Sequence, residues 1–257
     1  MNRIDQLFSK QKNNILSIYF CAGHPALTET ATTIKALERN GVHMIEIGIP
    51  FSDPMADGPV IQEASTKALR NGMKLSLLFE QLKNIREGVS IPLILMGYLN
   101  PIMRHGFERF CQSCEVCGID GVIIPDLPFK DYMDTYKETA DRHKLKVIML
   151  ITPETSERRI RLIDEHTNGF IYMVSSAATT GAQKDFDEQK QAYFKRIEAM
   201  QLRNPRMIGF GVSNKQTYDA ACAHASGAII GSRLVTLLEK EKDAEKAICQ
   251  LIKDIKG

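Results

Sequence analysis

The segment His43-Met44-Ile45-Glu46-Ile47-Gly48-Ile49-Pro50-Phe51-Ser52-Asp53-Pro54-Met55-Ala56-Asp57-Gly58-Pro59 carries two carboxylates in different settings. Apolar residues alternate over 43–49 with the period of a strand. Ile45, Ile47 and Ile49 then share one face, and Met44, Glu46 and Gly48 the other. A carboxylate on an apolar strand face is costly unless it is paired or used. An ion pair with a cation from another strand is one alternative, but no strand run offers an inward Arg or Lys, and Lys146 stands at the far end of its own run. Glu46 is therefore read as a group held protonated near neutral pH by its surroundings. Asp57, nearer solvent, is read as its ionised partner, so that the two form an acid/base pair. Asp57 has a second reading, as the cap of a helix starting near Pro59.

Two further segments could bind an anion. Gly209-Phe210-Gly211-Val212-Ser213-Asn214 and Gly227-Ala228-Ile229-Ile230-Gly231-Ser232-Arg233 each place Gly and Ser where a strand ends and a helix begins. Small residues there let a phosphate approach the backbone amides at the positive end of the helix. A long run of small and polar residues, Ser175 to Asp187, reads as a loop over the same end, with a plain surface connection as its alternative. Cys111, Cys114 and Cys117 share one side of a helical stretch but lack the fourth ligand of a ferredoxin run, since position 121 is Gly121. They read as core thiols, and the scattered His residues suggest no metal site.

The elements that must carry these groups alternate along the chain. Strand patterns fall at 15–20, 43–49, 92–98, 119–124, 146–151, 169–175, 206–210 and 226–230. Helical periodicity fills 28–40, 59–70, 105–117, 129–143, 156–166, 188–201, 214–223 and 233–255, with extra helices at 4–12 and 74–87. Eight strand–helix units imply a parallel sheet, closed as a (β/α)8 TIM barrel or open and doubly wound. The open sheet would need a nucleotide fingerprint, and neither GxGxxG nor GxxxxGK[ST] occurs. The expectation is an α/β protein, one TIM-barrel domain over 1–257, with its site at the C-terminal ends of the strands and phosphate held after the seventh and eighth. Thirty-three Lys and Arg against 31 Asp and Glu leave a net charge of +2, which excludes a strongly basic nucleic-acid or membrane surface. No apolar run is long enough to span a bilayer, and the polar N-terminus reads as cytoplasmic.

The run from Glu46 to Pro59, with Gly23-His24-Pro25, Gly97-Tyr98-Leu99-Asn100-Pro101, Pro125-Asp126-Leu127-Pro128, Thr180-Gly181, Gly209-Phe210-Gly211 and Gly231-Ser232 following in order, resembles the tryptophan synthase alpha chain family over essentially the whole barrel. The resemblance implies a carbon–carbon lyase that splits indole-3-glycerol phosphate into indole and D-glyceraldehyde 3-phosphate. Glu46 would be the general acid/base, Asp57 would accept the indole N–H, and Tyr172 would stand near the glycerol moiety. Tyr19, Met96, Ile123 and Ile151 would line the indole pocket. Thr180 and Gly181 would belong to a lid, while Phe210, Gly211, Gly231 and Ser232 would contact the ring and phosphate. The resemblance also implies a beta chain partner in an alpha2beta2 heterotetramer, reached through Asp53, Pro54, Asn100 and Pro101, with indole passed on for condensation with L-serine. Pyridoxal phosphate would belong to that partner and no cofactor to this chain. Tyr19 and Met96 stand where the family pattern leads one to expect Phe and Leu, and the lid reads Ser-Ser-Ala-Ala-Thr-Thr-Gly. A barrel that only binds a phosphorylated ligand and activates a partner, or another phosphate-binding barrel enzyme, is the alternative.

Overall fold

Each strand is apolar on both faces, so it is stable only with a packed interior on one side and helices on the other. In the computed structural model, which describes residues 1–175, 188–209, 211–241 and 243–256, the strands β1 (Ile15–Cys21), β2 (Met44–Gly48), β3 (Leu93–Met96), β4 (Gly121–Ile123), β5 (Lys146–Ile151), β6 (Ile171–Val174), β7 (Arg206–Gly209) and β8 (Gly227–Ile230) pair in chain order. All pairs are parallel, and β8 returns to β1 to close the barrel. Ile18, Ile45, Ile47, Leu93, Leu95 and Val122 belong to the outer core under the helices. Ile15, Met44, Ile94, Ile123, Ile148, Met207 and Ile229 fill the interior. The parity read at 43–49 is the one observed.

The helices follow in the order α1 (Arg3–Lys10), α2 (Thr30–Arg39), α3 (Pro59–Arg70), α4 (Leu75–Leu82), α5 (Leu99–His105), α6 (Phe107–Cys117), α7 (Phe129–Asp131), α8 (Lys137–Arg142), α9 (Glu157–His166), α10 (Glu188–Ala199), α11 (Lys215–His224), α12 (Ser232–Glu241) and α13 (Ala244–Lys256). Helix α1 is capped by Asn2, whose side chain accepts from the Ile4 amide. It presses Ile4 and Phe8 into the interior at the N-terminal ends of the strands, with Phe8 against Phe170 at 5.9 Å between ring centres. Below them the buried Asp120 receives Arg86 at 2.6 Å, Arg3 at 3.2 Å and the Leu93 amide at 3.0 Å. The barrel is thus plugged and pinned at one end, leaving the other end for the site.

Several helical stretches depart from the periodicity, among them 74–87, where α4 stops at Leu82 and a separate 3-10 turn covers Ile85–Glu87. The 233–255 pattern is two helices, because the Asp243 side chain accepts from the Lys246 amide and starts α13 afresh; both helices pack on the same core, so the apolar period runs through the break. Gly106, at φ 92, separates α6 from α5, a seven-residue helix most of which falls between the strand pattern at 92–98 and the helical pattern at 105–117. The 129–143 stretch contains a π-helical segment, Tyr132–Tyr136, between α7 and α8. Cys111, Cys114 and Cys117 lie buried on α6, and burial pushes all three thiols up, as inert core groups.

Candidate active site

Glu46 sits in the middle of β2, between Tyr19 of β1 and Ile94 of β3, and is fully buried. The ion-pair alternative does not hold: Lys146 is at the opposite end of the barrel, 2.9 Å from Asp5. The Ser17 hydroxyl donates to Glu46 Oε1 at 2.9 Å, and Oε2 has no hydrogen-bonding partner among the described residues. Burial pushes the Glu46 pKa up to about 8, with the Ser17 bond opposing. A carboxyl in that range can give and regain a proton near neutral pH.

Asp57 lies half-buried on the loop between β2 and α3, and it does not cap the helix. Gly58 occupies the cap position, Pro59 opens the first turn, and no side-chain cap bond forms there. The Asp57 carboxylate instead accepts from the Tyr98 hydroxyl at 2.7 Å. The loop is tied to α3 by Ser65, whose hydroxyl accepts from the Phe51 amide and donates to the Phe51 carbonyl, both at 2.8 Å. Burial raises the Asp57 pKa, opposed by the Tyr98 bond, so Asp57 is more enclosed than its turn-like sequence suggests. Tyr19, Met96, Asp57 and Tyr98 line one recess together with Pro54 and Pro125.

Two phenols complete the interior, and each lies over a glycine. A Cβ on Gly48 would stand 2.2 Å from the Tyr19 hydroxyl, and one on Gly209 would stand 2.2 Å from the Tyr172 hydroxyl. Only a residue without a side chain leaves room for either ring. Tyr172 therefore points inward, settling the face on which β6 presents it. The charges of Glu46 and Asp57 both act on Tyr172, after burial itself, to keep its phenol neutral.

The two anion-binding segments differ. Asn214 already caps α11 with a reciprocal pair of bonds to Thr217, and the Ser213 amide is also held by the Thr217 hydroxyl at 3.1 Å. Helix α12 begins directly after β8, at the mouth, with Gly231 followed by Ser232, and its first-turn amides have no acceptor within the helix. Gly211 takes φ 80, a left-handed turn between β7 and α11. Phe210, Thr180 and Gly181 lie outside the described residues, as does the rest of 176–187.

One pocket residue is corrected. Ile151 packs in the outer core, because strand parity places Leu150 and Ile148 inside. Ile123 and Met96 face the barrel interior. Asp53 and Asn100 are exposed, with Pro54 and Pro101 partly so; Asp53 and Pro54 lie on the loop after β2, and Asn100 and Pro101 lie in the first turn of α5. Met55 and Met103, 87% and 44% exposed, flank the same rim. Ser17 and Tyr98 did not stand out as site residues in the sequence, although a lone hydroxyl on the inner parity of 15–19 and a Tyr just beyond 93–96 were there to be read.

A family model described as tryptophan synthase alpha chain matches residues 5–256. The chain belongs to that family. As a tryptophan synthase alpha chain it is a lyase by membership, and its curated relatives carry the same name. The protein of Bacteroides thetaiotaomicron is 72% identical over 98% of both chains. That of Phocaeicola vulgatus is 70% identical over the whole of both. A crystal structure of the tryptophan synthase alpha chain from Legionella pneumophila has a TM-score of 0.89 at 33% identity, covering 99% of this chain and 96% of that one.

Proposed function

We propose that the chain, acting as one barrel domain, cleaves indole-3-glycerol phosphate to indole and D-glyceraldehyde 3-phosphate at the mouth framed by Glu46 and Asp57. Indole leaves poorly unless its C3 is protonated. Glu46 delivers that proton and takes up the proton of the glycerol hydroxyl that becomes the aldehyde. The bond between C3 and the glycerol carbon breaks, and its electron pair returns to the ring. Asp57 accepts the ring N–H and stabilises positive charge while the ring is protonated. Tyr172 borders the glycerol moiety, Tyr19, Met96 and Ile123 border the ring, and Gly211, Gly231 and Ser232 receive the phosphate. Thr180, Gly181 and Phe210 keep the lid, ring and phosphate roles that the family pattern implies.

The observation that carries this reading is a fully buried carboxyl with one oxygen unpaired among the described residues, which burial pushes up to a pKa of about 8. The partner is the beta chain, in an alpha2beta2 assembly in the cytoplasm. It is met at Asp53, Pro54, Asn100 and Pro101, with pyridoxal phosphate on the beta side. The test is indole release from indole-3-glycerol phosphate, with and without beta chain. Glu46→Gln is expected to lower turnover by about 10²–10⁴ with the chain still folded. Full turnover in that variant would remove Glu46 from the reaction.

A further inference from the structure

We propose that Ser17 is a positioning residue for the reaction, its hydroxyl selecting Oε2 of Glu46 as the oxygen that carries the transferable proton. The proposal rests on the reading of Glu46 as the acid/base and assigns a device that makes its proton transfer directional.

Ser17 and Glu46 are both fully buried. In the β1–β2 register Ser17 lies beside Met44 and Tyr19 beside Glu46, so Ser17 stands one pleat closer to the plugged end of the barrel than the carboxyl it touches. On the inner face of β1 its neighbours are Ile15 and Tyr19. A hydroxyl in such a place costs free energy unless it is bonded. Its bond runs to Glu46 Oε1 at 2.9 Å, while Oε2 is left without a partner among the described residues.

The chemistry follows from that asymmetry. An ionised carboxylate can only accept, so Ser17 must donate to it. In the acid form the same donation, which also keeps the buried hydroxyl hydrogen bonded, makes Oε1 the carbonyl oxygen and favours the proton on Oε2. One hydrogen bond thus serves both halves of a cycle in which Glu46 gives a proton to ring carbon and takes one from a hydroxyl. The bond also fixes the carboxyl plane, so Oε2 presents its proton from one direction. The titratable groups on which Glu46 acts among the described residues are the phenols of Tyr19 and Tyr172, and Asp57 acts on the same two phenols from the rim. Burial keeps both phenols neutral, so neither supplies the competing titration near neutral pH.

The test compares Ser17→Ala and Ser17→Thr with the unaltered chain, following indole release from indole-3-glycerol phosphate across pH. Ser17→Ala is expected to lower kcat about tenfold, the scale of one hydrogen bond to a charged group, with KM within about twofold. It should also move the Glu46 inflection in kcat/KM to higher pH, because a donor that favours the carboxylate is gone. Ser17→Thr, which keeps the hydroxyl, should restore both; Ser17→Cys, a weaker donor of smaller bulk, should fall between if Thr lowers the melting temperature. Unchanged kcat and inflection in Ser17→Ala would overturn the proposal, as would a lower Tm with the inflection unmoved, which marks a packing role only. Glu46→Gln in the same assay separates the two readings. If that variant is inactive while Ser17→Ala is normal, only the role of Ser17 fails; if it is active, the acid/base reading fails and the Ser17 role with it.

Discussion

The Tyr98 hydroxyl donates to Asp57 Oδ2 at 2.7 Å and accepts from the Ala56 amide at 2.9 Å, so one phenol holds both the rim carboxylate and the loop that carries it. Tyr98 also packs on Phe51, 5.3 Å between ring centres, which keeps the ring in place without its hydroxyl. Tyr98→Phe should therefore fold, leave Asp57 free to turn, and lower kcat about tenfold, the scale of one charge-assisted bond. Asp57→Asn should lose more turnover while still binding glycerol phosphate. Steady-state kinetics with glycerol phosphate as inhibitor check both, and a Tyr98→Phe enzyme with unchanged kcat would show that the bond does not orient Asp57 in the reacting complex.

The opposite end of the barrel offers a pH test unconnected with turnover. His143 lies between Glu115, 2.7 Å from Nδ1, and Glu108, 2.9 Å from Nε2. Only the imidazolium donates from both nitrogens, and the bonds to Glu108 and then Glu115 raise the His143 pKa. A raised folded pKa means stabilisation that is complete below the unfolded value, about 6.5, and lost as pH rises through the folded one. His143→Asn should therefore lower Tm at pH 6 and have little effect above the folded pKa. Arg142, 3.4 Å from Glu108, retains part of the link between α6 and α8. Equal loss of Tm at both pH values would assign His143 a packing role instead.

Ser232 opens α12 beside Gly231, and a phosphate placed there would meet the first-turn amides. Ser232→Asp puts a fixed negative charge at that spot. It should raise the inhibition constant of glycerol phosphate at least about tenfold while leaving the affinity for indole, which lacks a phosphate, nearly unchanged. Ser213 gives the contrasting site. Its amide is already held by Thr217, so Ser213→Ala should change neither constant. Inhibition by glycerol phosphate and binding of indole measured on both variants would locate the anion; equal loss at the two positions would mean that α11 shares it.

Much of this arrangement was legible because its causes are local. Strand parity alone separates Glu46 from Ile45 and Ile47, and the parallel closure follows from the repeated strand–helix alternation. What the sequence hid depends on distant chain. Ser17 acquires meaning only when β1 is laid beside β2, and Tyr98 only when the loop after β2 folds over the end of β3. Ile151, placed in the pocket by the family resemblance, had no parity in its own sequence to contradict that. A residue at the end of an apolar run can face either way until pairing with β6 sets Leu150 opposite Tyr172. Asp57 carried a second reading as a helix cap because Asp-Gly-Pro is a common local turn, and a remote phenol overrides that preference.

The burial that suits Glu46 to proton transfer must weaken the fold as the pH rises. Its pKa is raised from an ordinary 4.5 to about 8 by desolvation. Between those values the folded chain holds a proton that the unfolded chain releases, so stability falls with increasing pH. The Glu46 contribution is complete below about 4.5 and is lost as pH rises through about 8, where the buried carboxylate must carry its charge. The full difference is on the order of a few kcal/mol, at about 1.4 kcal/mol for each pK unit. Glu46→Gln can still accept from Ser17 and never ionises. It should match the unaltered chain near pH 4.5 and exceed it in Tm by a margin that widens up to pH 8.5, while releasing little indole. Thermal melts of both proteins across that range check the prediction, and a constant difference in Tm would mean that the carboxylate finds solvation inside the barrel.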